Sequence, residues 1–210
     1  MERLNKVGKL EILRREAEGC RNCSLWQERT NLVFGEGNPD AFIMFVGEAP
    51  GFHEDQQGKP FVGAAGKLLT ELIESIGLKR EDVYIANVLK CRPPNNREPL
   101  PEEIRVCFPF LRQQIEIINP KIICTLGRYA AYAILGHSVN ISTSHGKDYY
   151  VDGRRVFVTY HPAAALYHGK LLENIKKDFE KLKELYEAVL KSEKEQNLPN
   201  KKEKEQLSFW

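Results

Sequence analysis

The residues of this 210-residue chain that could do chemistry are five cysteines, a His-Pro pair, an asparagine closing an apolar run, and a glycine-rich turn. The turn is Gly47-Glu48-Ala49-Pro50-Gly51, followed by Phe52-His53-Glu54-Asp55 and then Gly58-Lys59-Pro60-Phe61-Val62-Gly63. Two glycines around a proline favour a tight turn whose backbone N–H groups can face a ligand. Such a turn serves equally as an ordinary strand-to-helix connection or as a phosphate cradle. The Lys-Ser/Thr ending of a P-loop is missing, which weakens the nucleotide option. Phe61 taken alone is more often a core residue than a stacking platform. Asn87 is followed by Lys90-Cys91-Arg92-Pro93-Pro94-Asn95-Asn96-Arg97, a rigid polar loop whose three cations suit a phosphate backbone. An asparagine there is usually a cap or turn residue, and a histidine before proline, as in His161-Pro162, is more often structural than catalytic. What gives them weight is that all three motifs end apolar runs.

The cysteines sort by their neighbours. Cys20, Cys23 and Cys91 sit beside Gly, Asn, Arg or Pro, and Cys107 lies near Pro109 in a helical stretch. Cys124 is embedded in Ile122-Ile123-Cys124-Thr125-Leu126 and reads as core. An odd count without a secretory signal argues against a disulfide framework. Cys20, Cys23, Cys91 and Cys107 therefore form a candidate ligand set, for a tetrahedral zinc or for an iron–sulfur cluster. Spacing alone favours zinc, because four-cysteine zinc sites are common.

Positioning these groups requires a scaffold. Phe42–Gly47, Val83–Leu89, Lys121–Gly127 and Val156–His161 are short apolar runs of the kind that make buried parallel strands. Helical patterns cover Gly63–Ile76, Pro101–Ile118, Arg128–Leu135 and Leu171–Leu190, the second opening on Pro-Glu-Glu and stopping before Pro120. This alternation predicts an α/β sandwich with right-handed crossovers. Ligands in such sheets bind at the carboxyl ends of the strands, where the three motifs lie.

Composition narrows the class. Hydrophobic residues make up 42% and charged residues 29%, and the formal net charge is +2. Bulk charge thus makes no case for a nucleic-acid partner, and any such surface must be local. No run approaches the ~20 apolar residues of a membrane span, and the charged, amphipathic N-terminus has no apolar signal core. A cytoplasmic protein is expected. Residues 1–190 read as one domain, and 191–210 as a charged, flexible tail, rich in Lys, Glu, Gln and Asn, that ends in Leu207-Ser208-Phe209-Trp210. Abundant Lys and Glu is compatible with a thermophile.

Taken together, the Gly47–Gly51 turn, the Gly58–Gly63 segment, Asn87 with Lys90–Arg97, the four cysteines and His161–Ala164 resemble one family. It is the thermophile-type, or family 4, uracil-DNA glycosylases, and the resemblance spans about residues 10–185. It implies a three-layer α/β/α sandwich around a four-stranded parallel sheet. It implies a 4Fe–4S cluster on Cys20, Cys23, Cys91 and Cys107, in place of zinc. It also implies excision of uracil from single- or double-stranded DNA, leaving an abasic site for base excision repair. Gly47, Glu48, Ala49, Glu54, Phe61, Asn87 and His161 would bind the uracil. Phe61 would stack on the base, Asn87 would bond its Watson–Crick edge, and His161 would face O2. The best-known uracil glycosylases carry an aspartate in the first loop where this chain has Ala49. Glu48 is then the candidate for orienting water or stabilising the cationic sugar, unless it shapes the loop through backbone N–H groups. Glu54 would block the uracil 5-position against thymine. Lys90, Arg92 and Arg97 would contact the DNA backbone, and Leu166 would wedge into the vacated stack, its alternative being a helix residue packed inward.

Two other readings stand beside this one. Ala49 in place of aspartate fits a non-catalytic reader of uracil-containing or damaged DNA, and the glycine-rich turn alone fits a nucleotide-binding enzyme. Gln206-Leu207-Ser208-Phe209-Trp210 resembles the short bacterial motif that docks on a sliding clamp. Its alternative is an aromatic end tucked against the domain.

Overall fold

The computed structural model of the chain describes residues 5–196. The tail motif proposed for a sliding clamp lies outside the described residues. Four strands form the centre of the sheet: β2 (Ile43–Gly47), β3 (Tyr84–Asn87), β4 (Ile122–Leu126) and β6 (Arg154–Thr159). They are parallel and ordered β3-β2-β4-β6. Every residue of β2, β3 and β4 is buried, which is why these strands read as unbroken apolar runs.

Among the described residues the sheet has six strands, not the expected four. β1 (Glu36–Gly37) adds antiparallel to β3, and β5 (Lys147–Val151) adds antiparallel to β6. β1 is two residues long, too short to leave a pattern. β5 is an edge strand with mostly exposed side chains, so it carries no apolar alternation. Its turn was legible: Asp152-Gly153, both at positive φ, is a hairpin dipeptide.

Alternation along β2 divides the core. Met44 and Val46 pack on one face with Leu10, Leu13 and Ala17 of α1 (Lys6–Glu18), Leu111 and Ile115 of α4 (Pro101–Ile118), and Ala130 of α5 (Arg128–Leu135). Ile43 and Phe45 pack on the other face with Leu69 and Ile73 of α3 (Ala64–Ser75) and with Ile175 and Phe179 of α8 (Gly169–Gln196). The result is the three-layer sandwich expected. Between β2 and α3 lies the short α2 (Phe52–Gln57), α6 (Ile141–Ser144) precedes β5, and α7 (Pro162–Tyr167) follows β6. Helix α8 continues to Gln196, past the change in composition at residue 191.

Helix ends follow local chemistry. Pro101 supplies the first residue of α4, where its missing N–H costs nothing. Glu103 one turn in accepts from the Leu100 N–H. α7 starts on Pro162, with His161 as its cap. Because the central strands are parallel, Gly47, Asn87, Leu126 and Thr159 all finish on one rim.

Candidate active site

On that rim a cavity of about 340 Å³ is lined by Glu48, Ala49, Glu54, Phe61, Asn87, Arg97 and His161, together with Pro93 and Asn96. Register explains its floor. Gly47 on β2 pairs with Asn87 on β3, and a Cβ on Gly47 would lie 2.3 Å from Asn87 Oδ1 and 2.6 Å from Phe61 Cζ. Only glycine lets the asparagine and the phenylalanine approach the strand end.

Asn87 is 2% exposed, and its Oδ1 has no hydrogen-bond partner. A buried amide oxygen left unpaired costs ~1–3 kcal/mol, so this group is poised for something the protein does not itself supply. Its backbone is firmly held, since Lys90 Nζ donates to the Asn87 carbonyl at 2.8 Å and to Gln114 Oε1 at 2.6 Å.

Lys90 is consequently not a surface cation. It is 1% exposed, and burial pulls its ammonium down to about 7. The expectation that it contacts a phosphate backbone is corrected: it braces Asn87 from beneath. Its position directly after the apolar run Val83–Leu89 was the available signal. Gln114, which completes the brace and also donates to the Phe34 carbonyl, left none.

Phe61 adopts φ +52°, a left-handed conformation strained for an aromatic residue. Three contacts hold it there. Glu54 Oε1 accepts from the Val62 and Gly63 N–H groups, each at 2.9 Å. Arg80 donates to the Pro60 carbonyl at 2.6 Å while pairing with Glu36 at 3.0 Å. Gly66 of α3 leaves room for the Phe61 carbonyl, which a Cβ there would meet at 1.9 Å. Glu54 thus shapes the loop as well as lining the cavity. Arg80 was invisible to sequence reasoning, being 20 residues from the carbonyl it holds.

His161 lies beside Phe61, with ring centroids 5.5 Å apart and planes inclined by 27°. Its Nδ1 accepts from the Ala163 N–H at 3.1 Å. That bond requires an unprotonated Nδ1 and leaves the proton of the neutral ring on Nε2. Burial holds the ring neutral, taking its pKa down to about 4 against the opposing charge of Glu54. At neutral pH, then, His161 is a neutral N–H donor.

Glu48 is half-buried, and its carboxyl is pushed up to about 7, first by burial and next by the nearby charge of Glu98, with Arg128 opposing. Glu98 itself pairs with Arg128 and accepts from Tyr129 Oη.

At the lip, Arg92 donates to Asn96 Oδ1 at 2.7 Å and lies over the Phe52 ring. Arg97 is gripped by both carboxylate oxygens of buried Glu103, at 2.6 and 2.9 Å, so its guanidinium is already committed within the protein. Leu166 is 44% exposed near the end of α7. The inward-packed alternative therefore fails for Leu166.

Cys20, Cys23, Cys91 and Cys107 come from three separate segments and line one small cavity with Arg29, Lys90 and Trp26. Cys91 Sγ accepts from Arg29 Nη1 at 3.2 Å, and Cys107 Sγ accepts from the Lys90 N–H at 3.3 Å. Burial raises the thiols of Cys23 and Cys91 and takes Cys107 to about 12. Cys124 stands apart, buried in β4 on the other side of the sheet. Among the described residues, no group of three or more His, Cys, Asp or Glu side chains could hold a single metal ion. No helix among them is long and apolar enough to cross a membrane.

The arrangement combines an aromatic shelf, an unpaired amide, a neutral imidazole donor and a titratable carboxyl, all at the carboxyl ends of parallel strands. Known proteins share the sequence that builds it. The pattern described as "Uracil DNA glycosylase superfamily" matches residues 34–189. The type-4 uracil-DNA glycosylase of Archaeoglobus fulgidus is 53% identical over 184 residues, 84% of this chain and 92% of that protein. That of Sulfurisphaera tokodaii is 52% identical over 185 residues, 84% of each chain. That of Thermotoga maritima is 48% identical over 178 residues, 83% of this chain and 93% of that protein. A type-5 uracil-DNA glycosylase of Pyrobaculum aerophilum is more distant, at 33% identity over 144 residues. With its site residues inside the matched span, apart from the N-terminal cysteine pair, the chain belongs to the uracil DNA glycosylase superfamily and stands with its type-4 members.

Proposed function

We propose that this chain excises uracil from DNA by holding an extruded uridine between Phe61, Asn87 and His161 while the glycosidic bond breaks. The observation that carries the reading is the unpaired, buried Oδ1 of Asn87 at the cavity floor. Uracil presents an N3–H donor next to an O4 acceptor, and a single amide matches both, with Oδ1 on N3–H and Nδ2 on O4. The uridine must leave the duplex to reach this depth. Phe61 forms the shelf on which the base stacks.

Chemistry follows from the remaining groups. Breaking the C1′–N1 bond sends its electron pair into the uracil ring, where charge accumulates at O2. The Nε2–H of neutral His161 is aimed at that charge, and a preorganised donor of this kind lowers a barrier by ~3–4 kcal/mol. The sugar is left as an oxocarbenium-like cation, as in glycoside hydrolysis. Ionised Glu48 stabilises this cation and takes the proton of the water that adds to C1′, and that proton passes through solvent to the departing uracil anion. Free uracil and an abasic site are the products, so the reaction belongs to repair of deaminated cytosine. Arg92 and the exposed Leu166 serve the DNA itself, the first at the phosphate backbone and the second in the gap left by the base.

The cysteine quartet fits an iron–sulfur cluster better than zinc. The four thiols ring a shared cavity and do not converge on one point. The irons of a cubane occupy separate corners and so accept more widely spaced ligands than one tetrahedral zinc does. N–H donors already point at two of the sulfurs, and Arg29 and Lys90 offset the negative charge of a thiolate-ligated cluster. Cys20, Cys23, Cys91 and Cys107 would hold it, and it would tie the N-terminal helix to the loop after Asn87.

Incubating the protein with a single-stranded oligonucleotide bearing one uracil, then treating with alkali, tests the reading. Strand cleavage at the uracil position is expected. DNA that is bound but uncut would replace the enzyme with a non-catalytic reader.

A further inference from the structure

One large aromatic beside the cavity leaves half of its surface open to solvent. Phe52 opens α2 directly after Gly51, which lines the cavity, yet it is 51% exposed. Its ring meets His53 edge-on at 5.5 Å and carries the Arg92 guanidinium 5.2 Å above its centroid. Arg92 is bonded to a neutral partner, Asn96, and to no carboxylate. Pro93, next to Arg92 in the chain, and Asn96, its hydrogen-bond partner, both line the cavity. The lip therefore presents an aromatic face and an uncompensated cation side by side, continuous with the cavity.

We propose that Phe52 and Arg92 form a second subsite, which takes the nucleotide adjacent to the extruded uridine. This rests on the excision reading above. In this subsite the neighbouring base stacks on the Phe52 ring, and Arg92 moves to the phosphate between the two nucleotides. Aromatic stacking with an arginine beside it is the sequence-tolerant way proteins grip single strands. The exchange is favourable because a solvent-exposed cation–π contact is weak, whereas a stacked base is held more strongly and a phosphate is a better partner for Arg92. In the free protein the guanidinium lies over the ring and leaves about half of the residue open to solvent. The subsite reads no base identity, since every base has a π-face.

The test pairs a protein change with a substrate change. Single-stranded oligonucleotides carry one uracil, with the base on its 5′ or its 3′ side either present or replaced by an abasic spacer. Wild-type protein should lose about tenfold in kcat/KM when the stacked base is removed on one of the two sides, the size of one base–aromatic stack. Phe52→Ala should lose a similar factor on the intact substrate, expressed in KM more than kcat, and the spacer should cost it nothing more. Phe52→Tyr should behave as wild type. Since Phe52 is exposed, Phe52→Ala should melt within a degree or two of wild type, which separates lost stacking from lost fold. If spacer and substitution effects simply multiply on both sides, or if Phe52→Ala matches wild type, the subsite does not exist. If wild-type protein releases no uracil from any of these strands, the excision reading itself fails, and the subsite falls with it.

Discussion

Replacing Glu48 by glutamine should stabilise the protein at alkaline pH while disabling it. The carboxyl is carried from an ordinary 4.5 to about 7, chiefly by burial and next by Glu98. A group whose folded pKa is raised is held in its neutral form by the fold. Its ionisation therefore works against folding as pH rises from 4.5 to 7, and the full cost is present above that window. At about 1.36 kcal/mol per pH unit, the upper bound is roughly 3.4 kcal/mol. Glu48 is only half-buried, so solvent screening brings the usable figure to about 1–2 kcal/mol. Glutamine keeps the shape without the charge. Glu48→Gln should then melt roughly 2–6 °C higher at pH 8.5, and at about pH 3.5, where the carboxyl is neutral in the folded and the unfolded chain alike, the gain should vanish. Excision should fall by two orders of magnitude or more, because the cationic sugar loses its counter-charge. Melting curves at the two pH values and single-turnover excision rates decide the matter. Equal gains at both pH values, or an active Glu48→Gln protein, would refute the reasoning. The wild-type rate should also rise through pH 7 to a plateau, with no falling limb from His161, which is neutral above about 4. Glu98→Gln should move that rise to lower pH, by removing the second cause of the shift.

Three further outcomes are expected. Asn87→Asp should abolish most uracil excision, since a carboxylate faces O4 with no donor, and sites of this kind discriminate by ~10⁴–10⁵; near-native rates in single-turnover assays would show that Asn87 does not read the base. Purified protein should be brown, with broad visible absorption. Cys91→Ala should bleach it and Cys124→Ala should not, and a colourless native protein holding one zinc would exclude the cluster. Arg80→Ala frees the Pro60 carbonyl and should cost ~1.5–3 kcal/mol of stability. It should also weaken inhibition by free uracil as Phe61 relaxes, and unfolding curves with uracil titrations would report both effects.

What sequence reading could reach was set by how local each signal is. The four central strands are unbroken apolar runs because both of their faces are buried, and their ends placed Gly47, Asn87 and His161 on one rim. Cys124 was separated from the other four cysteines by the apolar residues around it, and it is indeed in the core of β4. The edge strands went unseen because β1 is two residues long and β5 faces solvent. Lys90 was misplaced because residue type argues for exposure, whereas a lysine can be buried when its ammonium finds fixed acceptors. Glu54 showed only one of its two aspects, since its bonds to Val62 and Gly63 span eight and nine residues.

Lys90, Gln114 and Arg80, which sequence reading misplaced or missed, share the task of holding the site residues in unfavourable states. Asn87 carries an unpaired buried oxygen, Phe61 a left-handed backbone, His161 a desolvated ring and Glu48 a desolvated carboxyl, and each is unfavourable where it stands. Strain of this sort persists only where the surroundings over-determine it. Here those surroundings are polar side chains working from below: Lys90 and Gln114 under Asn87, and Arg80 with Glu54 around Phe61. Lys90 adds a further connection. Its backbone N–H points at Cys107 Sγ, and its ammonium holds the Asn87 carbonyl. One residue thus joins the cysteine quartet to the amide at the cavity floor. A group held by the cysteine quartet, far along the chain from His161, would thus have a direct physical route to Asn87, one that runs through positioning.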